Sequence, residues 1–279
     1  MPKKKRKIYK GLEKILSDMP EEEQKILLKQ LQYPHKKDYG RKIHYHHYRP
    51  RRVKIGIISD LHIGSKFFDM GIYEKSIRAF SKEKVEAIYC CGDIIEGMSN
   101  REGHIYELDH IGTSAQINHA AELLNQYKQP LFFITGNHME WAKRKSNQGI
   151  NLGDILESKL NNGKYLGEYE SNIELAPNVI MRITHDGSSA YALSYSLQKR
   201  INSLSDESKP NIIANGHLHK AIYIYYRNIH AVEAGTLQNQ TPFMARKGSP
   251  AMVGFWIFDI RYGKKGIYKF SPSFYPKDL

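Results

Sequence analysis

Short, nearly continuous apolar runs recur along this chain from Val53 onward: VKIGIIS from residue 53, EAIYCCG from 86, PLFFITG from 130, VIMRITH from 179 and NIIANG from 211. Runs of this length without polar alternation predict strands buried on both faces. Helical candidates lie between the first three, at about 71–83 and 112–128, and another near 189–204 precedes Pro210. This βαβ alternation predicts an α/β sheet with helices on its faces. The tail differs: AIYIYYRN, IHAVEAG and MVGFWIFDI predict strands joined by short loops, as in a β-meander.

Ahead of Val53 the pattern changes. PKKKRK is a block of like charge and predicts disorder, followed by helical spacing from about Ile8 to Gln32. Leu12, Ile15 and Leu16 mark one short amphipathic helix, and Ile26, Leu27 and Leu31 a second, opened by Pro20 and Glu21–Glu23. Residues 33–52 (YPHKKDYGRKIHYHHYRPRR) have little periodicity and read as a linker or a basic, aromatic surface strip. Tyr, His and Arg in such a strip can stack on bases. Two regions are therefore expected: a basic extension over 1–52, with its small helical part, and one large domain over 53–279.

Charge follows the same division. The net charge is +13, but residues 1–54 hold 17 Lys and Arg against 6 Asp and Glu, while residues 55–279 hold 25 against 23. The body is nearly neutral and the first fifth is strongly basic. A basic arm attracts polyanions through counterion release without reading sequence, so nucleic acid is an expected partner. A solubilising tail is the alternative. PKKKRK also matches a short nuclear-import pattern. No apolar run approaches the roughly 18–20 residues of a membrane-spanning helix, and no apolar stretch follows the basic start as a secretory signal requires. The cysteines, Cys90 and Cys91, are adjacent on a predicted strand and should face opposite sides. That excludes a disulfide framework and suits a reducing, intracellular setting, cytoplasmic by default or nuclear if PKKKRK directs import.

The chemistry gathers where the apolar runs end. Asp60 and His62 stand in SDLH, Asp93 in GDIIEG, Asn137 and His138 in GNH, His185 in THDG, and His217 and His219 in GHLH. In open α/β sheets ligands bind at the carboxyl ends of strands, so five such ends can converge. Seven of these eight residues suffice for two metal ions sharing one carboxylate. Two ions about 3.5–4 Å apart suit phosphate-ester hydrolysis, because they stabilise both the attacking and the leaving oxygen. Imidazole, carboxylate and amide oxygen together suit Mn²⁺, with Fe²⁺ or Zn²⁺ as alternatives. Each motif alone is ordinary: GD and GN are common turn dipeptides, and a histidine at a strand end is usually a satisfied polar residue. The signal is the ordered set.

That ordered set, DxH, GD, GNH, H and GHxH across residues 53–240, resembles the signature of the calcineurin-like metallophosphoesterase superfamily. The resemblance implies a β-sandwich of two mixed sheets flanked by helices. It also implies one metal held by Asp60, His62, Asp93 and His219, and a second held by Asp93, Asn137, His185 and His217, with Asp93 bridging. His138 matches the family's non-ligand histidine, which assists the leaving group. Hydrolysis would proceed through a hydroxide shared by the two metals, with no covalent enzyme intermediate. The family often continues GNH directly with Asp or Glu, whereas Met139 intervenes here before Glu140. Glu96 is a further acidic candidate for orienting the site, and no fixed partner for His138 is evident.

Substrate choice is less legible. The polar loop 97–111 leaves directly from a candidate ligand, and its Arg101, His104 and Tyr106 are candidate substrate contacts. Lys143, Arg144 and Lys145, just after GNH, could grip a nucleic-acid backbone or form a solvated helix face. The resulting expectation is a metal-dependent nuclease acting on DNA, similar to the repair-nuclease branch of the superfamily. A phosphatase or phosphodiesterase for protein or small-molecule esters is one alternative. A non-catalytic nucleic-acid-binding subunit is another, although such a scaffold has no chemical need for the full donor set.

Overall fold

The computed structural model describes residues 43–48, 51–140, 151–187 and 192–278. The basic start, the helices expected within 8–32, part of the 33–52 strip, and Lys143, Arg144 and Lys145 lie outside the described residues. The strands, in chain order, begin with β1 (Ile43–Tyr45), β2 (Arg52–Ile58), β3 (Ala87–Cys90), β4 (Leu131–Thr135), β5 (Gly163–Glu168) and β6 (Glu170–Ala176). They continue with β7 (Val179–His185), β8 (Ile212–Gly216), β9 (Ala221–Tyr226), β10 (Ile229–Ala234), β11 (Gly254–Gly263) and β12 (Gly266–Pro276). The helices are α1 (Met70–Lys82), α2 (Thr113–Leu124), α3 (Leu152–Lys159), α4 (Tyr195–Asn202) and the short α5 (Pro242–Arg246). Asp69 caps α1 by accepting the Ile72 N–H at 3.0 Å, and Asn151 caps α3 by accepting the Gly153 N–H at 2.9 Å.

Two six-stranded mixed sheets result, ordered β12-β11-β2-β3-β4-β5 and β1-β6-β7-β8-β10-β9. In the first, β2 to β5 run parallel and β11 and β12 add antiparallel to them. In the second, β7, β8 and β10 are parallel neighbours, with β6 and β9 antiparallel at either side. Ile55, Ile57, Tyr89, Met181, Ile183 and Phe258 fill the space between the sheets. On the outer face of the first sheet, Phe80, Ile117, Leu124 and Leu156 of α1 to α3 pack on Ile88 and Phe133. On the outer face of the second, Leu197 and Ile201 of α4 pack on Ile213 and Ala231. Helices, sheet, sheet and helix form four layers, so the central strands are apolar on both sides, which is why their sequences show no alternation. Cys90 packs in the helix-covered core and Cys91 between the sheets, on opposite faces as expected, and both are free thiols. Among the described residues no helix is long and apolar enough to cross a membrane.

The tail is not one meander. β9 and β10 form a hairpin in the second sheet, whereas β11 pairs with β2 in the first and folds back as a hairpin with β12. Residues 235–253 connect the two hairpins and carry α5. β2 offers β11 an open edge, whereas β10 is already bonded on both sides, to β8 and β9. Ile43–Tyr45, within the stretch read as linker or strip, is a strand that pairs in parallel with β6.

A buried polar seam ties the second sheet to the loops above it. Thr184 Oγ1 donates to Asn215 Oδ1 at 2.6 Å, and Asn215 Nδ2 donates to Glu233 Oε2 at 2.8 Å and to the Asp186 carbonyl at 2.9 Å. Glu233 is 1% exposed, and its Oε1 has no hydrogen-bond partner among the described residues. Burial pushes its carboxyl from 4.5 up to about 8. Between those two values the folded state holds a proton that the unfolded chain has released, so stability falls as pH rises through that window. The slope approaches ~1.4 kcal/mol per pH unit. Glu233→Gln should therefore gain on the wild type in urea unfolding as pH is raised from 5 to 8; a constant difference across that range would refute a buried protonated carboxyl.

Candidate metal centre and active-site cleft

Five strand ends converge at one edge of the sandwich. β2, β3 and β4 of the first sheet lead into Asp60 and His62, Asp93, and Asn137 and His138; β7 and β8 of the second lead into His185, His217 and His219. The register His185 opposite Gly216 aligns the second pair of ends, and Ile58 opposite Cys90 the first. The loops are then laced together: Asp60 N–H donates to the Gly92 carbonyl at 3.0 Å and His62 N–H to the Asp93 carbonyl at 3.1 Å.

Backbone conformation explains the i, i+2 spacing of the motifs. Asp60, His62, Asp93, His217 and His219 all have positive φ, at 50°, 52°, 47°, 81° and 53°. This left-handed region is costly for residues with a Cβ and is held only where surrounding structure over-determines it. Here it turns both members of DxH and both histidines of GHLH toward a common centre. Two glycines permit the approach. A Cβ at Gly136 would lie 2.3 Å from Asp93 Oδ1, and one at Gly92 would lie 2.5 Å from His185 Nδ1.

The donors fall into two groups. Asp60, His62 and His219 form one: His219 Nε2 lies 3.1 Å from Asp60 Oδ1 and 3.1 Å from His62 Nε2. Asp93, His185 and His217 form another, with His185 Nε2 2.9 Å from Asp93 Oδ2 and 3.2 Å from Asn137 Oδ1. His185 Nδ1 donates to the Cys91 carbonyl at 2.7 Å, which fixes the other nitrogen toward Asp93. Two imidazole nitrogens and a carboxylate oxygen meeting within hydrogen-bond distance are a donor set that fits a divalent cation. Asp93 belongs to the second group by its carboxylate and joins the first through its carbonyl bond to His62 N–H.

A third gathering, His62, Glu96 and His138, orients the other two. Glu96 is buried, and its Oε2 lies 2.9 Å from His62 Nδ1, within ion-pair distance but off the hydrogen-bond axis. Oε1 pairs with His104 Nε2 at 2.8 Å, and Gln238 Nε2 donates to Oε2 at 3.0 Å. The carbonyl of the same residue accepts from His138 Nδ1 at 2.7 Å. His138 thus has a fixed partner that no side-chain pattern could reveal, because the acceptor is main chain. Glu140, displaced by Met139, instead accepts from the Tyr169 hydroxyl at 2.8 Å, while Met139 is buried in the core.

Electrostatics divides these groups. For His62, burial opposes the charge, but Glu96 foremost and then Asp60 raise it to about 10. For His185, burial is likewise outweighed, by Asp93 and Asp60, giving about 9. Burial pushes His138 down to about 4 against the opposing pull of Asp93. Its neutral ring donates Nδ1–H to the Glu96 carbonyl, so Nε2, 4.0 Å from Asp93 Oδ2, is the basic nitrogen. Asp60 and Asp93 are held below the ordinary carboxylate value: burial would raise both, and the neighbouring histidines outweigh it.

His62, Asp93, Asn137, His138, His217 and His219 line a cleft of about 650 Å³, with Asp60 and His185 buried behind them. Arg101 lines it, but its guanidinium is forked onto Glu107 at 3.0 and 2.5 Å. His104, expected to contact substrate, is 2% exposed: Nε2 faces Glu96 and Nδ1 accepts the Ser99 N–H at 3.2 Å, so its ring braces Glu96. Tyr106 does not line the cleft and is 79% exposed on the outer side of its loop. A further part of the lining, unanticipated from sequence, comes from residues 238–249: Gln238, Thr241, Phe243, Met244, Lys247 and Ser249. Nothing local marks that segment, since it carries no motif and reaches the site only through the β10-to-β11 crossover.

The sequence model of the calcineurin-like phosphoesterase superfamily domain matches residues 53–261, and the chain belongs to that superfamily. The DNA polymerase II small subunit of Methanocaldococcus jannaschii is 26% identical over 276 aligned positions, covering 78% of this chain and 45% of that protein. The protein of the same name from Halobacterium salinarum is 24% identical over 264, covering 79% and 51%. The chain thus spans about half the length of the curated relatives it matches. A solved archaeal phosphodiesterase is 14% identical with a TM-score of 0.46, covering 80% of this chain and 100% of its own.

Divalent ions compete with protons for the imidazoles. At pH 7 Mn²⁺ binding should release about two protons, from His62 and His185, and apparent affinity should rise with pH until about 9–10. Calorimetry in buffers of different ionisation enthalpy reads this directly. Glu96→Gln, which removes the main support for charge on His62, should cut the release toward one; an unchanged count would separate Glu96 from His62.

Proposed function

We propose that this chain is a phosphodiesterase dependent on two divalent ions, Mn²⁺ ahead of Fe²⁺ or Zn²⁺, and that its substrate is DNA. The observation that carries the hydrolytic reading is the convergence of eight residues from five strand ends, six of them lining one cleft and five in left-handed backbone. Holding that conformation costs of order 1–3 kcal/mol per residue. A scaffold retained only for binding has no reason to keep it, which weighs against the non-catalytic alternative.

Bound divalent ions supply a lowered pKa for water and neutralise charge on the phosphoryl oxygens. The chain supplies the rest. Asp60, His62 and His219 would hold one ion, Asn137, His185 and His217 the other, and Asp93 would serve both. The Cys91 carbonyl fixes which nitrogen of His185 would face its ion, and the Glu96 carboxylate, 2.9 Å from His62 Nδ1, leaves Nε2 of that ring toward the other. Because Nδ1–H of His138 is committed to Glu96 O, any proton that His138 delivers travels from Nε2, and the departing oxygen of the ester is its acceptor. The low basicity of the buried ring makes it a willing donor once charged.

DNA rather than a small ester is supported by the basic first 54 residues and by relatives named as DNA polymerase small subunits. Purified protein with Mn²⁺ should degrade DNA in a panel that also holds RNA, cyclic nucleotides and phosphopeptides; hydrolysis confined to a phosphate monoester would sink the DNA reading. His138→Ala should lower turnover about 10²- to 10⁴-fold while metal analysis still finds two ions, and loss of metal would remove it from the acid role. Truncation should stop at residue 41, ahead of β1, and should flatten the salt dependence of DNA binding; an unchanged slope would reject the arm as a polyanion site.

A further inference from the structure

One wall of the cleft has a composition that the hydrolytic chemistry does not require. Phe243 stands on α5 with 43% of its surface exposed, an unusual place for a phenyl ring beside a charged site. Thr241 caps that short helix, accepting the Met244 N–H at 3.2 Å, with Pro242 at its first position, so the ring is presented from a pinned turn. The Arg101 guanidinium lies 5.2 Å from the ring centroid and the Lys247 ammonium 5.9 Å. Both distances are within cation–π range, but the two cations are not equivalent. Arg101 is neutralised and immobilised by its fork onto Glu107, so it backs the ring as a rigid plate. Lys247 is exposed at the rim, on a flexible stem, with a compact charge free to follow an anion.

A rigid aromatic face beside a mobile ammonium matches one repeating unit of a single nucleic-acid strand, a base followed by a phosphate. The cleft volume also falls within the range that holds a single ligand of nucleotide size. We propose that Phe243 and Lys247 bind the nucleotide flanking the scissile phosphate: the ring stacks on its base, and the ammonium pairs with its outer phosphate. This rests on the DNA phosphodiesterase reading above and narrows it to single-stranded DNA, because a base paired within a duplex has no free face at such a wall. Stacking is indifferent to base identity, so the site selects an unstacked strand rather than a sequence.

The test uses the full chain and one oligodeoxynucleotide in two forms, intact or abasic at the nucleotides flanking the scissile linkage. Binding is measured by fluorescence anisotropy in EDTA, and cleavage with Mn²⁺. On the intact strand Phe243→Ala should raise Kd and KM roughly tenfold, while Phe243→Trp retains wild-type values. On the abasic strand wild type and Phe243→Ala should coincide. Lys247→Gln should lower the salt slope of binding by about 0.7, the share of one phosphate on a single strand. Equal losses for Phe243→Ala on intact and abasic strands, or no loss on either, would overturn the stacking site. Wild-type protein that hydrolyses methyl p-nitrophenyl phosphate but cleaves no oligonucleotide would instead overturn the DNA reading beneath it.

Discussion

Two carboxylates, Asp60 and Asp93, are buried within a few ångströms of one another's histidines, at 0% and 1% exposure, and the architecture answers to the cost of keeping them ionised there. An isolated buried carboxylate is several kcal/mol unfavourable or takes up a proton. Here neither holds, because donors arrive from four strand ends. His217 N–H donates to both oxygens of Asp60, at 3.1 and 2.9 Å, and His138 N–H donates to Asp93 Oδ1 at 3.0 Å. The flanking imidazoles supply positive charge, and divalent ions would supply more. Each backbone donor comes from a different strand end, so the carboxylates tie the sheets together at the edge where they would otherwise splay.

That requirement also accounts for the four-layer build. A single parallel sheet brings strand ends into a row, whereas two groups of donors around one carboxylate need ends from opposite sides. The first sheet contributes Asp60, His62, Asp93, Asn137 and His138, and the second contributes His185, His217 and His219. Apolar packing between the sheets fixes their separation, and the left-handed residues bend each loop inward across it. The same packing leaves the 238–249 segment free to pass over the cleft while the chain crosses from the second sheet back to the first.

Glu96 shows how closely support and chemistry are interleaved. Its carboxylate serves His62, His104 and Gln238, and its carbonyl serves His138. One residue therefore orients a candidate metal ligand and the candidate proton donor, so a change in its placement moves both. His104, read as a substrate contact in the loop 97–111, lines the cleft while its ring holds Glu96, and Arg101 is held by Glu107 beside Phe243.

The sequence by itself determined what depends on local pattern. VKIGIIS, EAIYCCG, PLFFITG, VIMRITH and NIIANG were legible as strands because burial on both faces leaves an unbroken apolar signature, and the donors at their ends were legible because Asp, Asn and His gather there in a recognisable order. Helices α1 and α2 were legible from their 3.6-residue spacing. Tertiary structure alone decided what depends on contacts between distant residues. That β11 joins β2 rather than β10, that Ile43–Tyr45 pairs with β6, and that Phe243 and Lys247 face the cleft are all outcomes of pairing and crossover, which leave no periodic trace. The partner of His138 is a main-chain oxygen, identical in every residue type, so only folding could identify it. Side-chain pattern records which surface must be buried; which surface it is buried against is settled only when the chain closes on itself.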